Sequence, residues 1–410
     1  MVHFDLPPEK LRRYCIGPLG PHIGGFKALL SEQGYCFQIG RRKIGLVAGL
    51  SRWLERRRIR LRQLAEQHVQ AFLHARWKRF SFRDGDLSTM KALLQHLRES
   101  QVIPAPTPAP ADEADLLGQE YAHSLIQGRA LAQSSVTNHL RITRRFISHC
   151  FQDGKVRFEK LRAKDIIDFV LQDTSRRGRK DAQHTATGLR SFLGFLLQQG
   201  RITTNLAAAV PTVAGWPLSQ LPRFLEAEQV EEVLRSCDRR TKVGKRDYAI
   251  LLLLARLGLR SSEVVKLSLD DIDWQAGELL VRGKGDRIDK MPLLQDVGQA
   301  LVAYLRMARP DSSCRRVFLR RFAPYEGLSG AGTLGGIVRT AMNRAHIQAP
   351  HRGAHVLRHS LATRMLGHGA SLAQIGQVLR HQYVGSTQIY AKVDLNALRR
   401  LALPWPGGAL

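Results

Sequence analysis

The chain has 410 residues, 44% of them hydrophobic, and 63 Lys and Arg against 35 Asp and Glu, which gives a net charge of +28. No apolar run is long enough to cross a membrane, the N-terminus lacks a signal-peptide pattern, and the scattered Cys15, Cys36, Cys150, Cys237 and Cys314 fit neither a disulfide framework nor a zinc site. The composition therefore predicts a cytoplasmic protein of two or three domains with nucleic acid as its partner.

The first block of the chain has apolar residues at helical spacing. Val47, Leu50 and Leu54 fall on one helix face, with basic residues between such positions. We therefore predict that residues 1–103 form a small, basic, all-helical domain. A run of arginines follows Leu54, and its candidates for contact with DNA phosphates are Arg56, Arg57 and Arg58. The alternative is that this run is only a solvated helix face.

Alternating prolines mark the clearest boundary in the chain. Residues 104–115 read Pro-Ala-Pro-Thr-Pro-Ala-Pro-Ala-Asp-Glu-Ala-Asp. Such a segment favours the polyproline II conformation and cannot form a regular helix, so we predict a linker. A second proline-containing linker is expected at residues 206–223.

A second helical domain is predicted between the two linkers, over residues 116–205. Three apolar residues in its middle have the spacing of three residues in the first block, at a constant offset. The matching sets are Leu64, Val69 and Phe72, and Leu161, Ile166 and Phe169. This agreement indicates that one helical module is duplicated, although two unrelated helical bundles can agree by chance.

Two basic clusters in the second domain are further candidates for DNA contact. One is the basic side of an amphipathic helix whose apolar side carries Leu140, Phe146 and Ile147. The other is a glycine-containing loop. The candidates are Arg141, Arg144 and Arg145 on the helix, and Arg177, Arg179 and Lys180 in the loop.

The last domain, residues 224–410, is predicted to be mainly helical with one small antiparallel sheet. A buried helix over 248–257 ends at Gly258, two positions before Arg260. Short alternating runs between glycine-rich turns over 269–293 predict the sheet, with Lys284 on its tight turn. Helical patterns return afterwards, including one over 355–366.

Six side chains of this domain form a candidate catalytic set: Arg260, Lys284, His355, Arg358, His381 and Tyr390. Cleaving a phosphodiester requires neutralised phosphate oxygens, a nucleophile and a proton for the leaving alkoxide. Arginine binds phosphate through paired hydrogen bonds, lysine and histidine transfer protons, and tyrosine can form a phosphotyrosyl ester. Each residue alone is a weak signal, but their joint occurrence in a basic protein predicts DNA strand cleavage.

The last domain resembles the catalytic domain of the tyrosine recombinases, the phage-integrase family. The matching motifs are Gly-Leu-Arg260-Ser-Ser-Glu263, Gly-Lys284-Gly-Asp, His355-Val-Leu-Arg358-His, Leu-Arg-His381 and Thr-Gln-Ile-Tyr390. The resemblance covers residues 220–402, and the block over 116–205 is more loosely similar to the helical core-binding (SAM-like) domain of the family. It implies a multidomain architecture in which a helical core-binding domain precedes an α+β catalytic domain. Arg380 departs from the family pattern, which often has glycine there; this departure reduces backbone freedom or adds a phosphate contact.

The resemblance also implies roles for the phosphate-binding and covalent groups. Arg260 and Arg358 would bind the scissile phosphate, and Tyr390 would form a 3′-phosphotyrosyl link. Glu263 would orient the site.

For proton transfer the resemblance implies three further groups. Lys284 would be the general acid for the 5′-hydroxyl, His355 would assist proton transfer, and His381 would hydrogen-bond a phosphate oxygen. No metal, ATP or other cofactor is expected, because the only carboxylate cluster, Asp270, Asp271 and Asp273, lies at a helix-to-strand turn.

The function expected from this resemblance is site-specific recombination in the integration, excision or transposition of a mobile element. The expected partner is double-stranded DNA with specific recombination sites, bound by a homo-tetramer, alone or with related recombinases, and associated with the nucleoid. The apolar tail after Tyr390 is expected to pack on a neighbouring protomer. Two alternatives stay open: a type IB topoisomerase-like nicking-closing enzyme, and a non-catalytic DNA-binding accessory protein.

Overall fold

The computed structural model describes residues 7–78, 85–106, 113–151, 156–175, 178–213, 221–283, 287–383 and 385–393. The chain divides into two compact units: residues 1–106 together with 221–410, and residues 107–220. The described residues are mostly helical and contain a three-stranded antiparallel sheet in the last domain. The predicted fold class is therefore confirmed.

The N-terminal part of the first unit is a helical bundle with its own apolar core. Leu30, Leu50 and Leu97 are all 1% exposed or less, because each lies on the apolar face of a different helix. Its described residues contain the helices α1 (Pro8–Arg12), α2 (Ile23–Glu32), α3 (Phe37–Arg56), α4 (Glu66–Trp77) and α5 (Asp86–Glu99).

This bundle contacts the last domain through the turn after α2. The backbone N–H of Tyr325 donates a hydrogen bond to the carbonyl of Gln33 at 3.1 Å. The next residue, Gly34, has φ +80, and the Tyr325 ring lies so close that a Cβ at this position would be 2.2 Å from it. Glycine is required here for both its conformation and its lack of a side chain.

In the residues that the structure describes, the second unit is a bundle of four α-helices around aromatic side chains. Tyr121, Phe146 and Phe192 are fully buried and lie edge to face or tilted against one another or against neighbouring rings. Its helices are α6 (Glu113–Gln127), α7 (Gln133–Cys150), α8 (Ala163–Ser175) and α9 (Arg179–Gln198). Helix α6 begins inside the first predicted linker, and Leu206 and Val210 of the second predicted linker are buried in this core.

The last domain is organised around α11 (Lys242–Arg256). Four successive leucines, Leu251–Leu254, are fully buried, because other elements cover this helix on all sides of its C-terminal half. The remaining helices are α10 (Ala227–Arg235), α12 (Ser261–Lys266), α13 (Gln295–Met307), α14 (Ala331–Arg344), α15 (His355–Gly367), α16 (Leu372–Val378) and α17 (Gly385–Gln388).

The sheet consists of β1 (Ile272–Asp273), β2 (Glu278–Arg282) and β3 (Ile288–Pro292), in that order. In the antiparallel β2–β3 pair, Glu278 lies opposite Pro292 and Arg282 lies opposite Ile288. The segment that joins β2 to β3 therefore lies between Arg282 and Ile288, where the sequence pattern predicts a tight turn with Lys284. Lys284 itself lies outside the described residues.

Candidate active site

Arg260 is the N-cap residue of α12, and the start of this helix fixes its position in the site. Its backbone N–H donates to Glu263 Oε2 at 2.8 Å, and its Nη1 donates to Glu263 Oε1 at 2.7 Å. Glu263 is 4% exposed. Burial alone would raise the pKa of its carboxyl, but the charge of Arg380 and the hydrogen bonds from Arg260 lower it below the usual value. The ionised carboxylate therefore fixes both the helix end and the Arg260 guanidinium.

Arg358 lies on α15 and is the most deeply buried cation of the site, at 4% exposed. Its two terminal nitrogens donate to the carbonyls of Gly258 and Leu379. Burial, and after it the charge of Arg260, lowers its pKa to about 10. The guanidinium thus holds together the turn before Arg260 and the end of α16, which come from distant parts of the chain.

His381 follows a left-handed helix end. Arg380 has φ +54, its N–H donates to the carbonyl of Gln377 at 3.0 Å, and the N–H of His381 donates to the carbonyl of Gly376 at 2.9 Å. These two bonds form a Schellman motif, whose left-handed residue is usually glycine. A side chain in this conformation costs roughly 1 kcal/mol, so other contacts of Arg380 must offset it.

Those contacts are made by the guanidinium of Arg380. Its Nη2 donates to Glu263 Oε2 at 2.8 Å, its Nε lies 3.9 Å from Asp289 Oδ2, and its Nη1 lies against Met291 Sδ. Its carbonyl accepts a hydrogen bond from Arg260 Nη2 at 3.2 Å. The side chain is only 7% exposed. The departure from the family's glycine was expected to reduce backbone freedom or to add a phosphate contact. In the structure the Arg380 guanidinium instead forms an ion pair with Glu263.

The two histidines of the candidate set lie in the field of these arginines. His381 Nδ1 is 2.7 Å from Thr387 Oγ1, and burial followed by the charges of Arg358 and Arg260 lowers its pKa to about 4. His355 is the first residue of α15, and desolvation by the surrounding protein and the same two charges also lower its pKa. Both rings are therefore neutral at pH 7.

Tyr390 lies in the 3-10 helix Ile389–Val393 and is 1% exposed. Its Oη is 2.9 Å from His359 Nδ1. Burial raises the pKa of the phenol to about 12, although the charge of Arg358 opposes this effect. The phenol is therefore protonated and enclosed in this structure.

His359, the partner of the Tyr390 phenol, was not predicted from the sequence. It lies four positions after His355, one turn further along α15, so both rings belong to one face of the helix. His359 is the last residue of the quoted motif His-Val-Leu-Arg-His. Its partner Tyr390 is 31 positions away in the chain, so the motif alone did not indicate the contact. Thr387, the partner of His381, is only six positions away and was not predicted either, although it belongs to the Thr-Gln-Ile-Tyr390 motif.

A cavity of about 550 Å³ opens beside these groups. Arg260, Asp289, Arg380, His381, Tyr383 and Thr387 are among the residues that line it. Tyr390 is not among its lining residues. Arg260 and His381 can therefore meet a molecule in the cavity directly, whereas the buried Tyr390 does not line it.

The candidates for DNA contact lie on the two helical bundles. Arg145 is paired with Asp173 at 2.6 Å and is thereby held within its own bundle. Arg144 is 76% exposed at its side chain and lies 3.9 Å from Asp115. The candidates on exposed positions also include Arg56, Arg57, Arg58, Arg141, Arg179 and Lys180. Arg177 lies outside the described residues.

In the described part of the chain, no helix combines the length and apolar character of a membrane span. Within the same residues, no group of three His, Cys, Asp or Glu side chains could hold a metal ion.

The comparisons with known proteins agree with the site. The model of the phage integrase family matches residues 223–396. A Sinorhizobium fredii protein with the name "Putative integrase/recombinase y4rA" is 44% identical over 98% of this chain and 97% of its own length. The tyrosine recombinase XerD of Listeria monocytogenes is 31% identical over 67% of this chain and 93% of its own length. The chain therefore belongs to the phage integrase family of tyrosine recombinases.

Solved structures support the fold. The XerH site-specific recombinase, solved bound to a palindromic difH substrate in a post-cleavage complex, matches with a TM-score of 0.55. The match covers 81% of this chain and 93% of that one, at 18% sequence identity. At this identity the similarity concerns the fold.

Proposed function

We propose that this tyrosine recombinase cleaves and rejoins DNA strands at specific sites through a 3′-phosphotyrosyl intermediate. The observation that carries the proposal is the convergence of Arg260, Arg358 and His381 near Tyr390, from elements spread over 131 positions of the chain. Family membership supports the reaction type, and the net charge of +28 supports a nucleic-acid substrate.

Phosphate binding would rest on the two arginines. Arg260 lines the cavity and is oriented by Glu263, so its guanidinium can donate to phosphate oxygens. Arg358 is buried, and its positive charge would act on the phosphate at short range in a low-dielectric environment. His381 is neutral and can donate a hydrogen bond from Nε2 when Thr387 donates to Nδ1.

Strand cleavage would begin at Tyr390. The Oη–phosphorus bond forms as the bond between phosphorus and O5′ breaks; the phenol loses its proton and O5′ gains one. His359 Nδ1, at 2.9 Å, is within reach to accept the phenol proton. His355 would assist proton transfer, and Lys284 would protonate O5′. The ester conserves the bond energy, so religation requires no ATP.

The biological reaction would be integration, excision or transposition of a mobile element. We propose a homo-tetramer, alone or with related recombinases, that holds two recombination sites, and a C-terminal tail over residues 394–410 that packs on a neighbouring protomer. The tail lies outside the described residues. Its apolar residues Leu395, Leu398 and Leu401 motivate this part of the proposal. Unchanged assembly on DNA after deletion of residues 394–410 would reject it.

The test of the chemistry is covalent trapping. A recombination site selected from random-sequence duplexes is synthesised with a nick beside the cut position, so that cleavage releases a short fragment and cannot reverse. Wild-type protein should form a covalent complex, and Tyr390→Phe should form none while it still binds the duplex. Trapping by Tyr390→Phe would reject the assignment. A recombinase exchanges DNA strands between two recombination sites, whereas a topoisomerase-like enzyme only relaxes supercoiled DNA, so assays of the two activities separate these alternatives.

A further inference from the structure

We infer that residues 22–103 and 117–202 are two copies of one helical module, and that the first copy is a second binding site for duplex DNA. The inference rests on the proposed DNA substrate of the chain. It goes beyond it by assigning DNA binding to the N-terminal bundle, outside the catalytic cavity.

The order of elements is the first observation. Each bundle has four principal helices, and in each a three-residue 3-10 helix stands between the second and the third. These short helices, Leu61–Gln63 and Phe158–Lys160, begin 97 positions apart. The helices that follow them, α4 and α8, also begin 97 positions apart, at Glu66 and Ala163.

Buried positions keep a constant register within each pair of helices. The α3–α7 pairs, 96 positions apart, include Leu46 with Ile142 and Leu50 with Phe146. The α4–α8 pairs, 97 apart, are Val69 with Ile166, Phe72 with Phe169 and Leu73 with Val170. The α5–α9 pairs, 99 apart, include Met90 with Leu189, Leu93 with Phe192 and Leu97 with Leu196. The offset changes only between helices, where insertions are tolerated.

The turns repeat as well as the helices. Gly34 and Ala130, 96 positions apart, both have positive φ, and so do Gln101 and Gly200, 99 positions apart. The N–H of Val102 donates to Leu97 at 2.8 Å, and the N–H of Arg201 donates to Leu196 at 2.9 Å. Chance agreement of two amphipathic bundles would not reproduce these backbone conformations in the same register.

The two copies differ in where they are basic. The exposed Arg141 and Arg144 of α7 correspond to Gly45 and Ala48 of α3. The first copy instead has five exposed arginines immediately after Glu55, which we call the arginine segment: Arg56, Arg57, Arg58, Arg60 and Arg62. On that face of α3 the first copy has only Arg41 and Arg52, one turn to either side of the replaced positions, so its densest positive charge lies in the arginine segment.

The arginine segment carries uncompensated charge. Over the part of the chain that the structure describes, none of its five guanidinium groups forms an ion pair with a carboxylate, whereas Arg98, Arg145 and Arg201 each do. Arg57 lies over the Trp53 ring, 5.0 Å from its centroid. Five exposed positive charges within seven positions attract the phosphate backbone of a nucleic acid, whatever its base sequence.

The test compares two triple variants of the full chain. One is Arg57→Gln, Arg58→Gln and Arg60→Gln; the matched control removes three exposed charges from the same bundle by Arg12→Gln, Arg13→Gln and Lys91→Gln. The probe is a labelled random-sequence duplex of about 50 base pairs, titrated at several KCl concentrations. The first variant should bind about 10-fold more weakly at low salt. The slope of log affinity against log salt concentration should also become less steep, by about 1 for each phosphate that the variant no longer neutralises.

The control variant should stay close to wild type. Equal losses of affinity in the two variants, or a wild-type salt slope in the first, would overturn the inference. A single-stranded RNA of the same length is titrated in parallel; if the first variant loses affinity for this RNA but not for the duplex, the inference is also overturned. This assay measures binding and not cleavage, so its result does not depend on whether Tyr390 is the nucleophile. Covalent trapping tests the nucleophile separately.

Discussion

Arg380 combines a strained backbone with a buried ion pair. Its guanidinium holds Glu263, and Glu263 holds Arg260. We expect Arg380→Gly to slow covalent trapping about 10-fold, since a small displacement of a phosphate-binding group has an effect of this order. Stability should change little, because glycine relieves the left-handed backbone while the ion pair is removed. Trapping rates and denaturant unfolding measure the two effects.

The matched control for this change is His346→Gly. His346 is exposed and occupies the same left-handed position after α14, so the change relieves the backbone without touching the site. Arg380→Lys should recover part of the rate. If Arg380 acts through Arg260, Arg380→Gly should add little to the loss of activity caused by Arg260→Ala; additive losses would contradict this account.

The half-buried His381 should make the stability of the free protein depend on pH. The unfolded histidine takes up a proton below about 6.5, whereas the folded one does so only near its lowered pKa of about 4. Unfolding therefore takes up protons in this window, and stability falls as the pH falls from about 6.5 to about 4. His381→Gln should weaken this dependence in the free energy of unfolding. An unchanged slope would show that His381 does not cause it.

At the scale of elements, several helices end in a left-handed residue that is not glycine. Gln101 ends α5 in this way, with φ +55, and Gly200 ends α9 at the equivalent position with φ +66. Gln101→Gly should stabilise the protein by about 1 kcal/mol, and Gly200→Ala should destabilise it by a similar amount. Gly200 has open space for a Cβ, so backbone conformation alone accounts for its effect. Denaturant unfolding of the two variants tests this, and shifts of the same sign would contradict it.

At the scale of the whole molecule, the contact between Gln33–Gly34 and Tyr325 joins the N-terminal bundle to the last domain. Gly34→Ala places a methyl group against the Tyr325 ring in an unfavourable φ region, at a cost of about 1–3 kcal/mol. Amide hydrogen exchange over residues 320–327 should accelerate as the contact opens. Gly24→Ala, within α2 and in open space, is the control and should leave exchange at wild-type rates. Equal exchange in both variants would show that the contact does not hold the two parts together.

Much of this protein could be predicted from local sequence. The helices over 248–257 and 355–366 and the sheet over 269–293 follow from hydrophobic period and turn residues, and the structure contains them. The motifs around Arg260, Arg358, His381 and Tyr390 were sufficient to predict the family, which the comparisons confirmed. Each of these signals is contained within a few consecutive residues.

The contacts that define the site arise from tertiary packing. Tyr390 meets His359 across 31 positions, and Arg380 meets Glu263 across 117. No local period or spacing encodes such pairs, because they depend on how α12, α15 and α16 pack together. Local sequence was enough to identify the candidate catalytic side chains. Packing determined that His359 contacts the Tyr390 phenol, that Arg380 forms an ion pair with Glu263, and that Tyr390 is buried. This division arises because a side chain's chemistry is local, whereas its partner and its pKa are set by whatever the folded chain brings beside it.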